Sequence, residues 1–167
     1  MLDNKPPSVR FEFIDFIEKF PPVTMPIVLG EDTHLIFSRE NDVLSSTLVE
    51  KFILPLEVKE EDEFTEYIPC FAIDCNEPFI AVVWWKASLL SYEYFLATFT
   101  EKGEIIDRKV IAFTKIRGTD IRTAVATIDV ENNIHIAEGT SSNLEVDPTT
   151  SRIVTWEIFP DGQIGLQ

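Results

Sequence analysis

The feature that most constrains the fold is a series of short apolar segments separated by polar turns, which runs from Tyr67 onward. In four of the turns, a short polar run lies between two apolar residues. These four turns recur about every 30 residues, and each combines an acidic residue with Gly, Asn or Pro. They are Ile73-DCNEP-Phe79, Phe99-TEKGE-Ile105, Ile128-DVENN-Ile134 and Phe159-PDGQ-Ile164. Because such turns join antiparallel strands, the pattern predicts a meander of hairpins, and the repeat is too short for a propeller blade.

Alternation of apolar and polar residues supports individual strands. In RIVTWEIF, the residues Val154, Trp156 and Ile158 share one face. The run FIAVVWW, from Phe79 to Trp85, does not alternate, which predicts a strand that is covered on both faces. A sheet face this apolar needs a cover, and we expect N-terminal helices to supply it.

The N-terminal third predicts helices and short strands. The apolar residues that recur at helical spacing between residues 9 and 20 are Phe13, Ile14, Ile17 and Phe20. Phe11 and Phe16 lie off this stripe, so a strand over 9–14 stays open as an alternative. VLSSTLVEKFI predicts a second short helix in which Thr47 and Glu50 form a capping box, whereas MPIVLG and HLIFS predict short strands.

Together these patterns predict one domain, residues 1–167, of the mainly β class. We expect an antiparallel meander of about seven to nine strands, arranged as an open barrel, half-barrel or sandwich, with one or two short N-terminal helices. An α+β arrangement is the alternative. Residues 1–8 are expected to form a loose arm, and the acidic run 57–66 a surface loop.

The charge balance excludes several partners. The chain has 29 acidic and 14 basic residues, which gives a formal net charge of −15. A chain this acidic repels phosphate backbones and anionic lipid surfaces. We therefore expect no nucleic-acid partner and no membrane insertion. The remaining partner is an unknown protein or small molecule. The N-terminal residues MLDNKPPSVRFEF show no signal-peptide pattern, which predicts a cytoplasmic location, or export if the native N-terminus differs.

No cofactor or metal site is predicted. Cys70 and Cys75 lie five residues apart and would point to opposite faces of one strand, so we expect free thiols. Their C-x4-C spacing is unusual for zinc. The turn after Ile128 offers carboxylate and amide oxygens that suit calcium but lacks the EF-hand pattern, so a Ca²⁺-dependent module is a third-ranked hypothesis.

Catalysis has little support in the sequence. The motifs G-x-G-x-x-G, H-E-x-x-H, C-x-x-C and G-x-S-x-G are all missing, and no catalytic residue is assigned. His34 and His135 are the only histidines. The alternative function is therefore an enzyme of unknown class, with hydrolysis as one option, that uses His135 with nearby carboxylates.

The leading hypothesis is a non-catalytic binding or protein-interaction module that uses an aromatic surface. Trp84 and Trp85 are adjacent and must face opposite ways on a strand, and Tyr92 and Tyr94 share a face nearby. Core packing is the ordinary role of such residues, but an exposed aromatic patch marks interaction sites.

One basic spot stands out on the acidic chain. KIRGTDIRT contains Arg117, Asp120 and Arg122. Pairing with neighbouring acids is the simple explanation, and a site for a carboxylate ligand is the functional one.

Two segments, FEFIDFIEKFPPVTMP and SYEYFLATFTEKGEIIDRKVIAF, show a family resemblance. They resemble small bacterial β-meander proteins with strands of the form Y-x-L-x-T-[FY]-x-x-x-G-x-x-I-D. The resemblance implies a β-meander fold; that group has no assigned activity, so it implies no catalytic residues.

Overall fold

The computed structural model describes residues 7–57 and 64–167, and it shows a mainly β protein with short helices. The described helices are α1 (Pro7–Glu18), α2 (His34–Glu40) and α3 (Ser46–Phe52), with a 3-10 turn at Leu54–Leu56. The strands are β1 (Ile27–Leu29), β2 (Glu66–Ile73), β3 (Phe79–Ser88), β4 (Ser91–Thr100), β5 (Ile105–Arg117), β6 (Asp120–Ile128), β7 (Ile134–Ser142), β8 (Glu145–Ile158) and β9 (Ile164–Leu166). Most of the predicted arm and of the acidic loop lies outside the described residues.

The predicted antiparallel meander is confirmed. Strands β2 to β9 lie side by side in chain order, and each pairs antiparallel with the next. The four predicted turns join β2 to β3, β4 to β5, β6 to β7 and β8 to β9. The sheet stays open, since β2 and β9 form no ladder with each other in the described part of the chain.

Strand β1 splits this sheet into two halves. Leu29 pairs with Ala126 and Ile27 with Ile128, in the second half of β6. β5 pairs only with the first half of β6, from Asp120 to Ala124. β5 and β6 therefore diverge, and β1 fills the gap between them.

The main core, called the inner core here, lies between the two halves. Its buried side chains come from β2–β5 on one side and from β1, β6, β7 and β9 on the other; they include Leu29, Val83, Leu96, Ala126, Ile134 and Ile164. The β8–β9 turn closes one end of this core, because Thr98 Oγ1 donates to the Gly162 carbonyl at 2.6 Å. The backbone N–H of Ile164 donates to Asp107 Oδ2 at 2.8 Å.

A second core lies under the helices. Its buried side chains come from α1, α3 and the outer face of β2–β4; they include Phe13, Phe16, Phe52, Val82, Trp84 and Phe99. β3 is thus buried on both faces, and the helices cover one of them, as predicted. No helix within residues 7–57 and 64–167 is long and apolar enough to cross a membrane.

Three local predictions in the N-terminal third are wrong. HLIFS belongs to helix α2 rather than a strand; only Phe37 of this run is buried, because so short an apolar run fits either periodicity. Helix α3 is capped by Ser45, whose Oγ accepts from the Leu48 N–H at 3.4 Å, and not by Thr47. In α1 the ring placed off the stripe, Phe16, is fully buried, while Ile14 is 45% exposed.

The predicted acidic surface loop also begins differently. Glu57 is only 8% exposed, and its carboxylate accepts from Lys86 Nζ and from Arg108 Nη1, each at 3.0 Å. Lys86 and Arg108 are themselves 11% and 18% exposed. Glu57 therefore ties the end of the helical layer to β3 and β5.

Candidate functional site

The four predicted aromatic residues lie mainly in the two cores. Trp84 is fully buried under the helices, with its ring 5.7 Å from that of Phe95. Trp85 points the opposite way, into the inner core, and is 7% exposed. Tyr94 is also buried there, so only Tyr92, at 36%, reaches the surface. An exposed aromatic surface at these four positions is therefore not present.

Three of the four do come together. Trp85, Tyr92 and Tyr94 line a cavity of about 20 Å³, between β3–β4 and the loop after β1. The His34 imidazole stacks on Trp85 at 4.5 Å with 8° between the ring planes. The Tyr92 ring lies 6.0 Å from Trp85, also at 8°. Three nearly parallel rings therefore stand beside a cavity that holds about one water molecule.

A larger cavity, called the arginine groove here, lies across β5–β8. Its volume is about 220 Å³, and its lining includes Phe113, Arg122, Glu138, Thr140, Thr150 and Arg152. Pairing of the strands sets this arrangement, because Arg122 on β6 lies opposite Lys115 on β5 and opposite Thr140 on β7. Glu138 on β7 lies opposite Arg152 on β8.

The groove exists because β8 leaves its ladder with β7. Glu138 pairs with Arg152 and Thr140 pairs with Asp147, so the segment 148–151 bulges out opposite a single residue of β7. The Asp147 carboxylate accepts from Thr149 N–H at 3.0 Å and from Thr149 Oγ1 at 2.6 Å. These hydrogen bonds lower the pKa of Asp147 and hold the turn. Thr150 Oγ1 then reaches back to accept from the Thr140 N–H at 2.8 Å.

Basic side chains lie in and beside this groove. Arg122 and Lys115 both lie over the Phe113 ring, at 5.4 Å and 5.1 Å from its centroid. Lys115 also pairs with Glu93 at 3.6 Å, and Arg152 with Glu138 at 2.6 Å. Arg122 forms no ion pair with any of the described residues. Its guanidinium keeps donors for a planar oxyanion such as a carboxylate.

Only one of the three residues singled out in KIRGTDIRT lines the groove. Arg122 does, whereas Arg117 and Asp120 end β5 and begin β6 at the hairpin tip. Asp120 accepts a hydrogen bond from Ser142 Oγ on β7. The groove residues that sequence reasoning missed include Phe113, Thr150 and Arg152. The sequence does contain one signal for the bulge, the run Asp-Pro-Thr-Thr shortly before Arg152. Asp and Thr side chains can form hydrogen bonds with nearby backbone groups, and these compete with the hydrogen bonds of a strand ladder.

His135 joins a carboxylate and a hydroxyl on the outer face of the second half of the sheet. Its Nε2 lies 2.8 Å from Asp129 Oδ2, and its Nδ1 lies 3.1 Å from Thr155 Oγ1. The Asp129 carboxylate also accepts from the backbone N–H groups of Glu131 and Asn133, each at 2.9 Å. This network holds the β6–β7 turn; neither His135 nor Thr155 lines the arginine groove or the small cavity.

The Asp129 network predicts a dependence of stability on pH. The hydrogen bond with His135, followed by those with backbone and side-chain donors of the turn, lowers the pKa of Asp129 to about 2. A depressed pKa in the folded state stabilises the fold above the unfolded value of about 3.9, and this stabilisation is lost as the pH falls through about 2. Tm should therefore be higher in wild type than in Asp129→Asn at pH 6, with the difference shrinking from pH 4 towards pH 2. A difference constant over this range would contradict it.

The other predicted chemistries find less support. No three His, Cys, Asp or Glu side chains converge as metal ligands within the described ranges. Cys70 and Cys75 are free thiols. Burial raises the pKa of Cys70, and burial with the charges of Asp74 and Glu77 raises that of Cys75 to about 11, so neither is an activated thiolate.

Comparison with protein-family models, curated proteins and solved structures finds no match to this chain.

Proposed function

We propose that this protein is a non-catalytic binding module whose ligand presents a carboxylate to the arginine groove. The observation that carries the proposal is Arg122, which lines the groove, packs on Phe113 and has no acidic partner among the described residues. A guanidinium binds a carboxylate through two parallel hydrogen bonds, which gives orientation as well as affinity.

The surrounding charge supports a local anion site on an acidic protein. With a net charge of −15, the molecule as a whole repels anions. Screening limits that repulsion to about 8 Å at physiological ionic strength, so the nearby cations dominate inside the groove. Among the charged side chains that line the groove, Arg122 and Arg152 outnumber Glu138. The groove volume of about 220 Å³ fits a small molecule, since it lies below the range of drug-sized pockets.

Arg122→Ala should reduce the affinity for small carboxylates by about 10- to 100-fold, because a hydrogen bond to a charged group is worth about 1.5–3 kcal/mol. Isothermal titration with succinate, benzoate and 3-phenylpropanoate, against chloride as the reference anion, measures this. Arg122 is exposed, so the fold should survive the change.

Arg117→Ala is the matched control, because it removes an exposed arginine of the same hairpin that does not line the groove. It should leave affinity within about twofold, the size of a screened surface charge effect. Equal affinity in Arg122→Ala and wild type would overturn the proposal. It would also be overturned if no carboxylate binds at about 10 mM, a concentration at which even a very weak site is occupied.

A second candidate function is hydrolysis at Thr155. The hydrogen-bonded series of Thr155, His135 and Asp129 favours it. In such a reaction Thr155 Oγ1 would attack the ester carbonyl carbon while His135 takes its proton and Asp129 orients the imidazole ring. The ester C–O bond would then break as His135 returns the proton to the leaving alcohol, and water would hydrolyse the acyl-enzyme to release the acid and restore Thr155. Ester turnover that is present in wild type and lost in both Thr155→Val and His135→Gln would support it. Turnover retained in either variant would exclude it.

A further inference from the structure

We propose that the carboxylate ligand of the arginine groove is an amino acid, and that Glu138 binds its ammonium group while Arg122 binds its carboxylate. This inference rests on the proposed function, because it keeps the carboxylate on Arg122. It adds a second contact of opposite charge within the same groove. The ligand is thereby narrowed from carboxylic acids in general to zwitterions.

The strand register places the two side chains on one face of the sheet. Arg122 on β6 lies opposite Thr140 on β7, and Glu138 precedes Thr140 by two residues. Side chains two residues apart in a strand share a face, so Arg122 and Glu138 are diagonal neighbours, about 7–8 Å apart. Both line the arginine groove.

These neighbours have opposite charges, yet within the described chain they form no ion pair with each other. Arg122 lies over the Phe113 ring, 5.4 Å from its centroid, and so leans towards β5. Glu138 Oε1 instead contacts Arg152 Nε on β8 at 2.6 Å. The guanidinium and the carboxylate therefore lean towards opposite sides of the groove, which leaves the space between them for a ligand.

Glu138 keeps the capacity to bind a cation. Its second oxygen, Oε2, has no partner among residues 7–57 and 64–167. The Glu138 side chain is 21% exposed, against 69% for Arg152, and an ion pair with so exposed a partner is weak. An ammonium group donates up to three hydrogen bonds and could bind Oε2 while Arg152 stays on Oε1.

Thr140 adds a donor at the carboxylate end. Its side chain lines the groove directly opposite Arg122, and its hydroxyl forms no hydrogen bond with any of the described residues. A ligand carboxylate therefore has a guanidinium on β6 and a hydroxyl on β7. The acceptor for an ammonium group lies two residues nearer the start of β7.

The charge of the whole protein also favours a zwitterion. With a net charge of −15, the protein repels a monocarboxylate as it approaches. An amino acid with an uncharged side chain has no net charge near neutral pH, so it escapes this repulsion and still presents a carboxylate to Arg122.

The first test compares 3-phenylpropanoate with phenylalanine, two ligands that differ only in the α-ammonium group. Isothermal titration near neutral pH should show that wild type binds phenylalanine about tenfold more tightly, on the scale of one hydrogen bond between charged groups. Equal or weaker binding of phenylalanine would overturn the assignment of an amino acid.

The second test is Glu138→Gln, which keeps the size of the side chain and removes its charge. Affinity for phenylalanine should fall about tenfold, to that for 3-phenylpropanoate. Affinity for 3-phenylpropanoate should not fall, because the change frees Arg152, and this retained binding also shows that the variant folds. If Glu138 only held Arg152 in place, the change would alter both affinities alike, and that result would contradict the proposal.

Glu145→Gln is the matched control. It removes the same charge from an exposed glutamate at the start of β8, outside the groove. The preference for phenylalanine over 3-phenylpropanoate should stay within about twofold of that in wild type, as expected for a screened surface charge. A loss as large as in Glu138→Gln would mean that net charge, and not a contact with Glu138, sets the preference.

The failures of the two proposals are distinguishable. If wild type binds the two ligands equally and Arg122→Ala weakens both, the carboxylate site stands and the amino acid assignment is wrong. If Arg122→Ala changes neither affinity, the carboxylate site itself is wrong and the amino acid assignment falls with it.

Discussion

Phe16→Ala is expected to lower the free energy of unfolding by about 4 kcal/mol, because it empties the centre of the core under the helices. The Phe16 side chain is fully buried. Its ring lies 4.9 Å from Phe52, 5.0 Å from Phe20 and 5.8 Å from Phe99. The loss combines the apolar area returned to water with the cavity that the surrounding rings cannot fill.

Urea unfolding followed by fluorescence measures this loss at an unchanged m-value. Ile14→Ala is the matched control on the same helix, since Ile14 is 45% exposed, and it should cost less than about 1 kcal/mol. Similar losses in the two variants would mean that α1 does not pack on the sheet through Phe16.

Glu57→Gln should produce the second large loss, about 3 kcal/mol. The substitution keeps the shape of the side chain but removes the negative charge between Lys86 and Arg108, both of which are largely buried. Lys86 Nζ and Arg108 Nη1 then each lose a carboxylate partner that lies 3.0 Å away in a region of low dielectric, which makes breaking a buried ion pair expensive. Urea unfolding in 0.1 M and 1 M NaCl measures the loss, which salt should change little because solvent ions do not reach a buried pair.

The matched control is Glu12→Gln, which removes an ion pair with Lys51 on the surface of the helical layer. There the side chains are 28% and 44% exposed, and the loss should stay below about 1 kcal/mol and shrink further in salt. A loss for Glu57→Gln no larger than that for Glu12→Gln would show that the buried pair contributes nothing to stability.

The turns that could be predicted from sequence are those whose backbone needs particular residues. The β4–β5 turn contains Gly103 at φ +85°, where a Cβ would lie 2.9 Å from the Phe13 ring. The β6–β7 turn contains Asn132 at φ +65°. Glycine and asparagine adopt this conformation at low cost, so the residue types of these two turns indicate the turn geometry.

Three other hairpins were not predicted: the β5–β6 hairpin, whose turn contains Gly118 at φ +61°, and two hairpins in which a leucine has a positive φ. Leu90 has φ +58° in the β3–β4 turn, and Leu144 has φ +66° in the β7–β8 turn. The β3–β4 turn contains the adjacent leucines Leu89 and Leu90 and so lacks the polar composition that marks a loop, whereas the β7–β8 turn contains Asn143 at φ +51° directly before Leu144. A positive φ is costly for leucine, so strand pairing must hold both leucines in this conformation, and the leucine itself does not mark either turn in the sequence.

The candidate site was predictable only in part. Arg122 could be identified as part of the basic spot in KIRGTDIRT on an acidic chain, and Trp85, Tyr92 and Tyr94 as an aromatic group. Phe113 lines both the arginine groove and the small cavity, and its place beside them depends on the register of β5 with β6. Alternation within one strand gives the face of a residue but not its neighbours on the next strand. The bulge of β8 changes that register again.

The position of β1 has a consequence for how the chain is made. Its partners on β6 follow it by roughly 100 residues, which at about 5–20 residues per second takes about 5 to 20 seconds of synthesis. During that time Leu29 cannot be buried in the inner core, because the half of that core that comes from β6, β7 and β9 has not yet been synthesised. A ribosome-bound chain that ends after β5 would therefore hold a completed helical layer on β3 and β4 over an open apolar face. We expect a chaperone to bind this intermediate more readily than the finished protein, through the open apolar face.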